Sequence, residues 1–273
     1  MTMAKRSNPA VRIAQETAHN AVFDADGKPK PGVHNMLLKA VEIQRPLVLA
    51  YIRRLQKKHP KATAAQLAAI LERDYIRAVT GGGAVVGATA VVPGVGTIAS
   101  LGLSAAATVG FLEATALYAT SLAELHGIRL TNPEKASTMV MAIMLGEEGT
   151  SLLSTLSSQA AGGAGINTTK TLGSVFSKAM PISGFGAVRN KIQKAFLKNL
   201  LKRQGTALLG RALPFGIGAV VGGAGNLMMG RAVVSNAKEA FGPMPDTIPG
   251  ELTLNAAAPD HHTLEGNTLG SQR

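Results

Sequence analysis

The chain has 273 residues, with 28 Lys and Arg against 16 Asp and Glu; its net charge of +12 points to an acidic macromolecular partner, an anionic membrane surface or a nucleic acid. The absence of Cys excludes a disulfide framework, a thiolate zinc site, an iron–sulfur cluster and a Cys nucleophile. Hydrophobic residues make up 46% and charged residues only 16%, below the roughly 25% of an ordinary soluble domain, and 31 glycines complete an unusually apolar, glycine-rich composition.

Residues 1–35 are polar and end in turn chemistry at Asp26, Gly27, Pro29, Pro31 and Gly32, which predicts a tail. No apolar run follows Lys5 and Arg6, so a secretory signal is not expected there. Met36 to Lys58 reads as a helix interrupted at Pro46. Thr63 and Gln66 then stand at capping-box spacing and predict a helix from Ala64 to about Val79. Gly81-Gly82-Gly83 should end it, because glycine accepts the positive φ of the residue after a helix.

The uncharged stretch 78–112 has 35 residues, enough for one membrane crossing, but Pro93-Gly94-Val95-Gly96 at its middle should turn the chain. The arms, at roughly 22 to 24 Å as helix, fall short of a hydrocarbon core about 30 Å thick. A buried or re-entrant helical hairpin is the expectation. Farther on, Thr131-Asn132-Pro133-Glu134 combines a capping side chain, a proline near the first turn and an acid suited to the dipole, and predicts a helix to about Leu145. Glu147 and Glu148 close this apolar run, as a solvated helix end or as a buried acid.

Charge is distributed unevenly. Residues 149–238 hold 11 basic side chains and no acid, so their field must be met by another part of the chain, by solvent ions or by a ligand surface. Within this block the run from Val188 to Arg203 places Lys191, Lys194, Lys198 and Lys202 in a stripe about 80° wide on a helical wheel. Arg203 extends it, and Phe196 falls among the apolar positions opposite. This pattern fits a basic amphipathic helix lying in a membrane interface, and equally a core-packed helix with a solvated lysine face.

The second uncharged stretch, 212–230, carries Gly at 216, 218, 222, 223, 225 and 230. Six glycines cost roughly 6 kcal/mol of helix propensity, so such a helix requires tight packing in water. Small or special residues recur every fourth position at Pro214, Gly218, Gly222, Asn226 and Gly230, and likewise at Gly96, Ser100, Ser104 and Thr108; the pair Gly83 and Gly87 has the same spacing. Such faces allow close approach of helix backbones, in a soluble core or in a membrane. From Pro243 onward, four prolines and few large apolar residues predict a disordered C-terminal tail, 243–273. The sum is an all-α chain with one helical domain, 36–242, between two tails.

The order of these parts resembles the EcsC family of bacterial proteins over roughly 36–242. The resemblance rests on Thr80-Gly-Gly-Gly leading through Pro93-Gly-Val-Gly-Thr, the helix around Leu112 to Gly127, Leu130-Thr-Asn-Pro-Glu, and Leu213-Pro-Phe-Gly-Ile-Gly-Ala-Val-Val-Gly-Gly-Ala-Gly-Asn-Leu. The Gly-rich loop Ala161 to Gly165 is peculiar to this chain. The family takes its name from a protein encoded beside an ABC transporter and implies a setting rather than a reaction.

Catalytic patterns are incomplete. Gly94-Val-Gly96-Thr-Ile-Ala99 fits a loose dinucleotide fingerprint without a preceding strand. Thr169-Lys170-Thr171 lacks the glycine that precedes the lysine of a P-loop, and Ser104 lies outside a nucleophile elbow. His126 reads as a helix C-terminal residue, and His261-His262 lacks further ligands, so no metal or other cofactor is expected. Few aromatic residues interleave the lysines, which disfavours nucleic acid. These features predict a membrane-associated accessory protein on the cytoplasmic face, bound to anionic lipid, with a membrane transporter as a candidate partner and no defined catalytic activity. The rival is a soluble helical protein that holds an apolar or anionic small ligand.

Overall fold

The computed structural model describes residues 30–89, 96–160, 182–210 and 217–252. The helices are α1 (Pro31–Ala40), α2 (Arg45–Lys58), α3 (Ala64–Thr89), α4 (Gly96–Leu125), α5 (Pro133–Leu145), α6 (Glu147–Ala160), α7 (Ile182–Gly210) and α8 (Ile217–Phe241), followed by a 3-10 turn, Gly250–Leu252. No strand occurs among the described residues, and the fold is all-α.

Local chemistry sets the helix starts. Asn132 Oδ1 accepts from the backbone N–H groups of Glu134 and Lys135 at 2.8 and 3.2 Å, and Pro133 opens α5. Thr63 and Gln66 form the reciprocal capping box at α3, at 2.9 and 3.2 Å. α5 ends at Leu145, where Gly146 takes φ 66°.

α4 and α5 form the inside of the molecule. From Leu112 to Leu125 α4 is buried on nearly every side, and Ala136 to Ile143 of α5 are buried without a break. A helix that is apolar all round belongs in a core, and α1, α2, α3, α5 and α8 all pack on α4. Its lone buried carboxylate in this stretch, Glu124, takes a two-pronged bond from Arg45 at the start of α2, at 2.6 and 2.9 Å. That pairing offsets the desolvation of the charge and ties α2 to the end of α4.

Four boundaries differ from the sequence expectation. α3 does not stop at Gly81-Gly82-Gly83 but continues to Thr89, with neither Gly81 nor Gly82 at positive φ. Its long contact with α8, supported by α4, outweighs about 1 kcal/mol of propensity lost per glycine. The break between α1 and α2 falls at residues 41–44, ahead of Pro46, which sits in the first turn of α2 where a missing N–H costs nothing; α1 itself begins at Pro31, inside the stretch expected as tail. Finally, 243–252 is not a free tail. Leu252 is 1% exposed, and Met244 and Ile248 pack against the core.

The expected hairpin is present as packing between α3 and α4, but its arms are parts of much longer helices, about 39 and 45 Å in length. The turn at Pro93 and Gly94, the loop 161–165, Thr169 to Thr171, His261-His262 and both chain ends, 1–29 and 253–273, lie outside the described residues. Among the described residues no helix is long and apolar enough to cross a membrane.

Candidate functional site

The cationic run forms the middle of α7, which packs on α5 and α6. Phe185, Val188, Ile192, Phe196 and Leu197 are buried and face the core, while Asn190, Lys191, Lys194 and Lys198 are exposed on the opposite side. Phe196, expected to insert into lipid, is 2% exposed and therefore a core residue. The reason is the amphipathic pattern itself: one apolar face can be covered once, and α5 and α6 already cover it.

The acid-free block is partly neutralised by acids from outside it. Arg189 reaches Glu134 at 2.5 Å, Lys238 reaches Glu72 at 2.7 Å, and Asn199 donates to Glu148 at 3.0 Å. Lys191, Lys194 and Lys198 make no ion pair among the described residues, so their charge faces solvent. Lys202 and Arg203 continue the helix backbone, and their side chains lie outside the described residues.

The small-residue stripe of α8 meets α3. Asn226 donates from Nδ2 to the carbonyl of Val79 at 3.0 Å. One turn later, a methyl group built on Gly230 would lie 2.9 Å from Val79 Cγ2, whereas Gly225, off the stripe, has open space. Gly218 and Gly222 lie in α8, Gly83 and Gly87 in α3, and Gly96 opens α4; their surroundings are outside the described residues. Where it is described, the stripe packs helix on helix within the protein.

Elsewhere the structure offers little chemistry. Glu147 and Glu148 are exposed in the first turn of α6, a solvated helix start rather than a buried acid. His126 follows α4, its Nδ1 2.8 Å from the Leu122 carbonyl and its ring stacked on Phe241. The strongly shifted groups are core tyrosines: burial pushes the Tyr75 hydroxyl up to about 12, and burial, with the charge of Glu72, raises that of Tyr118. The crevice beside Arg45 and Glu124 is too shallow to enclose even a water-sized volume, so it is no ligand pocket. Among the described residues no cluster of three metal-ligating side chains occurs.

One surface was not singled out by the charge blocks. Arg53, Arg54, Lys57, Lys58 and Lys61, on α2 and the turn after it, are all exposed. The signal was available, because no Asp or Glu occurs between Glu42 and Glu72. With this geometry in hand, comparison with family models, with curated proteins and with solved structures returns no match.

Proposed function

We propose that this protein is an accessory factor that docks peripherally on the anionic cytoplasmic face of the cell membrane. The observation that carries the reading is the row Lys191, Lys194 and Lys198, exposed and without an ion pair among the described residues, on the side of α7 that faces away from the core. Basic residues near an anionic leaflet contribute about 1 kcal/mol each, and positive charge is favoured on the cytoplasmic side. With Phe196 committed to the core, the described part of α7 offers lipid its charge. The resemblance to the EcsC family adds a setting beside a membrane transporter; no reaction is assigned.

The test is co-sedimentation with vesicles at low salt. The wild type should bind vesicles containing phosphatidylglycerol and not pure phosphatidylcholine vesicles. Replacing Lys191, Lys194, Lys198 and Lys202 by Gln should weaken binding strongly, up to about a thousandfold if all four touch lipid, with helicity unchanged. Equal binding of the wild type to both kinds of vesicle would overturn the reading.

A further inference from the structure

Exposed cations beside an exposed large apolar side chain, a combination not found among the described side chains of α7, occur on α2. Leu47 is 61% exposed, an unusual exposure for a large aliphatic residue in this protein. At about 100° per residue, Leu47, Ala50, Arg54, Lys57 and Lys58 share one side of the helix, and Arg53 borders them. All six are exposed, whereas Val48, Ile52, Leu55 and Gln56 are buried on the opposite side, toward the body of the protein. α2 therefore shows the two faces of an interfacial helix, and the outer one has no partner among the described residues.

The charge of that face is not cancelled. Arg53, Arg54, Lys57, Lys58 and Lys61 make no ion pair among the described residues. α2 itself contains no acid; Glu42 precedes it, and Asp74 of α3, which lies near Tyr51, is engaged by Arg73 at 3.4 Å. Lys57 and Lys58 also complement the dipole at the end of α2, but Arg53, Arg54 and Lys61 have no such local role.

Resting on the membrane reading above, we infer that α2 is the element that seats the protein on an anionic phospholipid surface. Leu47 enters the boundary between headgroups and acyl chains, and Arg53, Arg54, Lys57, Lys58 and Lys61 hold lipid phosphates around it. Lipid is favoured over nucleic acid because the residue standing out from this face is aliphatic, while the aromatic ring that borders it, Tyr51, is half-buried rather than free for base stacking.

The protein contains no Trp, so a single tryptophan introduced at either helix reports on that helix alone. Leu47→Trp should give a blue-shifted emission on adding phosphatidylglycerol vesicles, and brominated lipid should quench it. Replacing Arg53, Arg54, Lys57 and Lys58 by Gln should lower partitioning by up to several hundredfold, at about fivefold per cation, while circular dichroism stays helical. If Lys194→Trp responds and Leu47→Trp does not, this inference is overturned while docking through α7 stands. If the wild type binds neither kind of vesicle, both fall. Binding of a single-stranded oligonucleotide in preference to the vesicles, lost in the same Gln variant, also overturns the lipid assignment.

Discussion

Gly149 has no room for a side chain. A Cβ there would collide with the Ala142 carbonyl oxygen and stand 2.7 Å from its Cα, because α6 folds back over α5 immediately after Gly146. Gly230 is tight as well, but against the flexible ends of Val79 and Ile76. We therefore predict an order of stability under urea: Gly149→Ala costs about 3 kcal/mol, Gly230→Ala about 1 kcal/mol, and Gly225→Ala gains up to about 1 kcal/mol. An equal effect at all three positions would rule out the close approaches. The caps at Asn132 and at Thr63 with Gln66 were legible in the sequence because each involves residues two or three apart. The need for glycine at 149 was not, since its obstacle is a backbone atom placed by the fold.

Among the elements, α3 separates local preference from tertiary packing. If the chain left the helix at Gly81 with positive φ, alanine there would be strained; within a continuous helix with open space at both sites, it is favoured. The double variant Gly81→Ala, Gly82→Ala should accordingly raise stability by about 1 to 2 kcal/mol, read as a higher urea midpoint. A lower midpoint would restore the earlier helix end. α7 teaches a related lesson. Its wheel correctly placed Lys191, Lys194 and Lys198 together on an exposed face, but the same wheel cannot say whether Phe196 meets lipid or another helix. That depends on α5 and α6, distant in sequence. The face of α2 is harder to read for a simpler reason: its acid-free run, between Glu42 and Glu72, is much shorter than the block 149–238 and is flanked by acids at both ends.

For the whole molecule, the core between α3 and α4 sets a limit at high pH. The Thr115 hydroxyl donates to the Phe111 carbonyl at 2.7 Å, which leaves Tyr75 as the donor in its 2.9 Å bond to Thr115, with the Tyr118 ring stacked alongside at 4.8 Å. An unfolded tyrosine loses its proton near pH 10, whereas Tyr75 holds its proton to about 12. The native state then binds more protons, so the contribution is complete below pH 10 and is lost as pH rises toward 12. Urea midpoints measured across this range should fall, and Tyr75→Phe should make the fall shallower. A wild type indifferent to pH from 10 to 12 would contradict the burial of these hydroxyls.

The partnership of α3 with α8 has a consequence for synthesis. α8 begins at Ile217, far behind the end of α3 at Thr89. At about 5 to 20 residues per second, a ribosome takes roughly 6 to 25 s to make the chain between them. Throughout that interval Val79 and its neighbours, which α8 will cover, stand open on a nascent polypeptide. The seam between α3 and α8 can therefore close only after α8 has been made, so this part of the core forms late in synthesis.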